Sequence, residues 1–148
     1  MQFVQDKSRT AAAIIGEELD KWCASIGGII KEYDREKYMV VFEKGKLEEL
    51  RENKFEILDT IRAITVDDVA MQFSASIGIA AISGSLSEKE IASRTALDLA
   101  LQRGGDQAVI KTEATTEFYG GRSQSVQKKT KVRSRVVANE LCSLIKQS

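Results

Sequence analysis

The stretch ALDLALQRGGDQAVIK, residues 96–111, decides how the chain is read, because a helix-forming run there meets two glycines, an aspartate and a short apolar strand. Phosphate-binding glycine loops precede a helix and aim its free N–H groups at the anion. Gly104 and Gly105 instead follow the helix. That order predicts a C-terminal cap and a turn into a strand, since glycine accepts the left-handed conformation that closes helices. Arg103 and Lys111 are the cations that a ligand lying across a sheet at this point would use.

Upstream, the helix starts at a Ser-x-x-Glu pattern, read at Ser87 and Glu90 as a capping box. Before it, residues 71–80, MQFSASIGIA, alternate with period two: Met71, Phe73, Ala75, Ile77 and Ile79 against Gln72, Ser74, Ser76 and Gly78. This predicts a strand with one packed face. Asp67-Asp68 makes the loop ahead of it, and Leu47, Leu50, Ile57, Leu58, Ile61 and Ile64 mark a helix interrupted near Asn53. Further back, the apolar runs 29–33 and 38–42 flank the charged turn Asp34-Arg35-Glu36-Lys37, which reads as a β-hairpin. The first element is an amphipathic helix over about residues 8–25, closed by Gly27-Gly28.

Downstream, Ala108–Ile110 and Phe118-Tyr119 read as short strands. After Gly120-Gly121 comes a basic run, with Arg122, Lys128, Lys129, Lys131, Arg133 and Arg135, and no acid until Glu140. It predicts a linker and a basic helix whose apolar stripe includes Val132, Val136, Leu141 and Leu144. Such a run could meet nucleic acid, but aromatics are not interleaved with it, so a helix docked on a following domain is the preferred reading. Helices alternating with hairpin strands make the fold class α+β, with helices on a largely antiparallel sheet.

The 148 residues suit one domain with its own core, and 22 basic against 22 acidic side chains give no global preference for nucleic acid, membranes or acidic ligands. Cys23 and Cys142 sit in apolar helical patterns, which suits reduced thiols in a cytosolic protein. No signal peptide and no apolar run of about 20 residues is present, so the chain reads as a soluble cytoplasmic domain. Histidine is absent, which excludes His-based nucleophile systems and the commonest zinc ligand. Chemistry here would rest on carboxylates, lysine, hydroxyls and a divalent ion.

With these elements placed, the sequence resembles the degenerate GGDEF-type domain of membrane-anchored cyclic-di-AMP phosphodiesterases of the GdpP type. Three stretches carry the resemblance: Ala75-Ser76-Ile77-Gly78-Ile79-Ala80, residues 96–111, and Phe118-Tyr119-Gly120-Gly121-Arg122 with Lys131-Val132-Arg133-Ser134-Arg135-Val136. In this register the family's Gly-Gly-Asp-Glu-Phe turn falls on Asp34-Arg35-Glu36-Lys37-Tyr38, and Gly104-Gly105-Asp106 falls elsewhere.

The resemblance implies a GGDEF or nucleotidyl-cyclase-like, ferredoxin-like antiparallel sheet over residues 1–119. Residues 120–148 would then be a linker and first helix leading into an absent DHH phosphodiesterase domain of the same protein. It implies a regulatory domain of a membrane-anchored parent, a homodimer in that parent, and no nucleic-acid partner. Asp34 and Arg35 stand where a working cyclase has glycines, and Lys37 where it has an acid. Side chains there fill the space that close approach to phosphate needs, so diguanylate cyclase activity is not expected.

A surviving weak nucleotide site would use Asp34, Arg35, Glu36, Lys37 and Tyr38, with Glu36 on Mg2+ or Mn2+ bound with ATP. The alternatives are an ordinary charged turn, a slow ATPase, or a purely structural dimerisation module. The resemblance also implies a first strand bearing a metal-binding aspartate, and in this register the chain starts at Met1-Gln2-Phe3-Val4, just beyond it. Its lack would leave inner sheet edges open to pairing.

Overall fold

A computed structural model describes residues 2–65, 72–120 and 131–139. Helix α1 (Gln2–Ser25) leads to the hairpin β1 (Ile29–Asp34) and β2 (Lys37–Val41). A single 3-10 turn precedes α2 (Leu47–Glu52) and α3 (Glu56–Arg62). Then follow β3 (Gln72–Ala81), α4 (Leu86–Gln102), β4 (Gln107–Thr112), β5 (Thr116–Gly120) and β6 (Lys131–Asn139). The strands form one sheet in the order β1-β2-β6-β3-β4-β5.

The α+β class stands, with an adjustment inside the sheet. The hairpin β1–β2 and the outer pair β4–β5 are antiparallel, whereas β6 runs parallel to both β2 and β3, and β3 runs parallel to β4. The basic helix expected after Gly120 is therefore corrected over Lys131–Asn139, which is a central strand pairing Tyr38 with Val136 and Ile77 with Val136. Valines at 132, 136 and 137 suit a strand as well as a helical stripe. Main-chain donors on both sides, open on β2 and β3, decide for the strand. The sheet thus runs past the domain boundary expected at residues 119/120. Residues 121–130 and 140–148, which hold the rest of the expected linker and helix and Cys142, lie outside the described residues, as do Met71 and the loop at Asp67-Asp68.

One sheet face carries α1, α2 and α3, whose Ile15, Leu19, Leu50, Leu58 and Ile61 join Phe73, Ala75, Ile77 and Ile79 of β3 in the main core. The other face carries α4, through Ala96 and Ala100 against Val109. Strand β3 is consequently packed on both faces, not on one as its alternation predicts. Ser74 and Ser76 are buried, and a Cβ on Gly78 would meet the α4 backbone at Leu97 N (2.3 Å) and Ser93 O (2.4 Å). Small residues at these positions let the helix lie directly on the strand.

Cys23 is buried in the core at the end of α1, where Gly27 takes a left-handed φ of 67° and Gly28 N–H donates to Cys23 O (2.9 Å). The expected break near Asn53 separates α2 from α3. Among the described residues no helix is long and apolar enough to cross a membrane.

The α4 capping box lies two residues earlier than read: Glu88 N–H donates to Ser85 Oγ (3.1 Å) and Ser85 N–H to Glu88 Oε1 (2.7 Å). Both Ser-x-x-Glu pairs fit the pattern. Gly84 selects between them, because a Cβ there would lie 2.6 Å from the Glu88 carboxylate. The Ser85 backbone and side chain hold the Glu88 carboxyl below the usual range. A depressed carboxyl stabilises the fold above its unfolded pKa, and that contribution is lost as pH falls through the folded value. Ser85→Ala is expected to cost about 1 kcal/mol and to lessen this acid-side dependence without abolishing it, because the backbone N–H of residue 85, the larger cause, remains. Thermal unfolding at neutral and acid pH measures both effects.

Candidate functional site

The hairpin turn is built as β1 and β2 exchange main-chain bonds, with an irregularity between Glu32 and Asp34 that leaves Asp34 opposite Lys37. Glu36 takes a left-handed φ of 59° to close the turn. Its N–H donates to Glu32 Oε2 (2.9 Å), and Arg35 N–H donates to Asp34 Oδ1 (2.8 Å). Lys37 Nζ lies 3.8 Å from Asp34 Oδ2, in an exposed pair of little energetic weight. Both N–H groups that an anion would seek in the turn thus face carboxylates of the same hairpin.

Tyr38 differs from its neighbours in the turn because it is buried, at the foot of the hairpin against α1. A cavity of about 390 Å³ opens beside it, lined by Gly16, Glu17 and Asp20 of α1, by Ile30 and Glu32 of β1, and by Tyr38 itself. Burial, then the charges of Glu32, Glu36 and Asp20, push the Tyr38 phenol above the ordinary tyrosine range. Three acids thus act on this one hydroxyl, while Lys31, Arg35 and Lys37 supply cations in the same hairpin. Among the described residues no cluster of acids, cysteines or histidines is arranged to hold a metal ion.

The structure therefore brings Asp34, Arg35, Glu36, Lys37 and Tyr38 into one turn, with Asp34 and Arg35 exposed, Glu36 and Lys37 half-buried and Tyr38 buried. An ultraviolet titration should lose one late-ionising phenol in Tyr38→Phe, while that of Tyr119, raised by burial and by Glu117, remains. The folded pKa is raised, so stability present below the unfolded value is lost as pH rises through the folded one.

The Gly104-Gly105 turn caps α4 as the sequence implies: Gly104 N–H donates to Leu101 O (3.1 Å) and Gly105 N–H to Ala100 O (2.8 Å). Arg103 and Lys111 do not converge. Arg103 stacks on the Phe118 ring, 4.1 Å from its centroid, while Lys111 stands near the far end of β4 opposite Thr116.

Asp106 has a role that sequence reasoning missed. It is buried with a left-handed φ of 59°, its N–H donates to Ser76 Oγ (3.0 Å), and its Oδ2 accepts from Arg62 Nε at 2.6 Å. Arg62 also bonds Asp59. Burial works against the Arg62 charge, but the Asp106 and Asp59 carboxylates outweigh it and raise its pKa. The pair joins positions 44 apart, so no local pattern announces it. Nearby, Arg51 makes a forked pair with Glu117 (2.9 and 3.1 Å), fixing α2 to β5.

Residues 1–118 match the family model described as "Cyclic-di-AMP phosphodiesterase GdpP-like, GGDEF domain". The chain is 36% identical over 149 residues to a cyclic-di-AMP phosphodiesterase GdpP of Geobacillus thermodenitrificans, and 35% identical over 150 residues to that of Bacillus subtilis. It is 36% identical to the cyclic-di-AMP phosphodiesterase PdeA of Listeria monocytogenes. Each match covers 99% of this chain and 22% of the relative, so the chain spans about a fifth of the length of these proteins. No solved structure matches it.

Proposed function

The chain belongs to the GGDEF-domain family of GdpP-like cyclic-di-AMP phosphodiesterases, and from that premise we propose that it is a regulatory, non-cyclase domain of such an enzyme, joined in the same chain to a DHH phosphodiesterase domain. The observation that carries this is the hairpin turn. Where a cyclase of this class keeps glycines and acids, this turn has Asp34, Arg35 and Lys37, and its N–H donors at Arg35 and Glu36 are taken by its own carboxylates. A triphosphate gains no free backbone donors there.

The test exchanges this chain for the matching stretch of the Bacillus subtilis relative. Cyclic-di-AMP hydrolysis is expected to persist in the exchange and to change in rate when the stretch is deleted. Equal rates with and without it would remove the regulatory role. Cyclic-di-GMP formed from GTP by the purified chain would remove the non-cyclase part.

A second reading is a slow ATPase using Mg2+ or Mn2+ at Glu36, favoured by the charges of Asp20, Glu32 and Glu36 around the Tyr38 hydroxyl. Phosphate release from ATP should then fall in Glu36→Ala and Lys37→Ala, and unchanged release in both sinks it.

A further inference from the structure

The face of the sheet that carries α4 is covered over only part of its width. At Gly78 the backbone of α4 lies directly on β3, and the helix also packs on β4 through Val109. The hairpin strands β1 and β2 lie on the other side of β6. Among the described residues no second helix joins α4 on this face, since α1, α2 and α3 pack into the core on the opposite one.

The uncovered part is apolar. Tyr38, Val40 and Phe42 enter the opposite core, so Met39 and Val41 of β2 point to the α4 face, where they are only half-buried. On β1, Ile30 packs against that same core, which leaves Ile29 and Lys31 on the α4 face. Tyr33 is on this face too, because the Arg94 guanidinium of α4 lies 5.4 Å from its ring centroid. Ile91 precedes Arg94 by three residues and so shares its side of the helix. Ile29 (64% exposed), Tyr33 (38%) and Ile91 (62%) therefore border one groove between α4 and the hairpin. Single exposed hydrophobic side chains are ordinary, but a contiguous apolar groove marks a contact surface.

The groove has the dimensions of one helix. Neighbouring strands are about 4.8 Å apart, and only β6 stands between β3 and β2. Strand β2 therefore lies about 10 Å from the line of α4, against the roughly 8–10 Å that separates packed helices. A helix set beside α4 would rest on β2, with Met39 and Val41 beneath it. Along the groove, the step from Ile29 to Tyr33 on β1 is about 13 Å, which is the length of about nine helical residues.

The sequence supplies an occupant at the entrance. Strand β6 ends at Asn139, in register with Val41 of β2 and Ala80 of β3, at the end of the groove where α4 begins. The residues that follow, 140–148, ELCSLIKQS, lie outside the described residues. Their Leu141, Leu144 and Ile145 recur at i, i+3 and i+4, the spacing of one apolar helix face. We propose that residues 140–148 form a short helix that turns back from β6 into this groove and packs Leu141, Leu144 and Ile145 between the hairpin and α4. The apolar stripe is then satisfied on the domain's own sheet rather than on a following domain. The inference rests on the fold and not on the regulatory reading above.

The test combines amide exchange with methyl NOEs in the full chain. Amides of residues 144–148, which have intrahelical acceptors, should exchange at least about tenfold more slowly than in an unstructured segment. The methyls of Leu144 and Ile145 should show NOEs to the Tyr33 ring and the Met39 methyl. Ile29→Asp and Ile91→Asp alter exposed side chains, so the circular dichroism of the fold should persist. Each should nevertheless remove the protection at residues 144–148, as should Leu144→Asp; a helix held by local bonds alone would keep it in the first two. Three results would overturn the proposal: unprotected amides in the unaltered chain, protection unchanged in both Ile29→Asp and Ile91→Asp, or NOEs that arise only between differently labelled copies and vanish on dilution. The last would place a second copy of the chain in the groove.

Discussion

Gly78→Ala is expected to be the most damaging single-methyl change in the chain, costing about 3 kcal/mol or more and lowering the unfolding midpoint by roughly 10 °C. The added Cβ would stand 2.3 Å from Leu97 N, 2.4 Å from Ser93 O and 2.7 Å from Leu97 Cα. All three are backbone atoms of α4, so no side-chain rotation relieves the clash, and the whole helix must lift from β3. Lifting it opens the contact of Ala96 and Ala100 with Val109. Ordinary overpacking costs about 1–3 kcal/mol, and a domain has about 5–15 kcal/mol in all, so a large part of the stability is at stake. Gly45→Ala is the control, because nothing lies within 4 Å of its added Cβ. Thermal melts of the two proteins decide the matter: equal midpoints would mean that α4 does not cross β3 at Gly78.

Arg62→Leu should follow in size, at about 3 kcal/mol. Removing the guanidinium takes from Asp106, whose side chain is only 7% exposed, its charge partner at 2.6 Å. Asp106→Asn should cost less, about 2 kcal/mol. It removes the charge while asparagine keeps the left-handed backbone, and the partly exposed Arg62 retains Asp59 and water. If the pair acts as a unit, the double variant will be less destabilised than the sum of the two single variants. Urea unfolding of the four proteins gives the coupling directly. Additive effects would show that each residue stabilises the fold independently.

In the hairpin, Tyr38→Phe keeps the buried ring and removes the ionisable hydroxyl.

Legibility followed the range of the interactions. The hairpin at Asp34–Lys37, the helix cap at Gly104-Gly105 and the break at Asn53 depend on residues a few positions apart, and each appears where the sequence puts it. The capping box slipped by two residues because two Ser-x-x-Glu pairs overlap, and the Glu88 carboxylate needs the empty space at Gly84. The left-handed φ at Lys54 and Phe55 had only one local trace, the interruption between α2 and α3, because neither residue type favours that conformation.

By itself, the sequence determined the elements as far as residue 120, the α+β class and the family, because periodicity, caps and turn residues act through neighbouring backbone and side-chain groups. The tertiary structure alone decided three things. Residues 131–139, compatible with helix or strand, became the central strand once β2 and β3 offered them a ladder on each side. Strand β3, which alternates as though one face met water, is covered on both, since Ser74, Ser76 and Gly78 are small enough for α4 to lie on them. Asp106, which reads as the end of a glycine turn, became the buried partner of Arg62 because the ends of α3 and α4 meet at one end of the sheet. In each case the deciding contact joins segments far apart in the chain, where desolvation and close packing outweigh local preference.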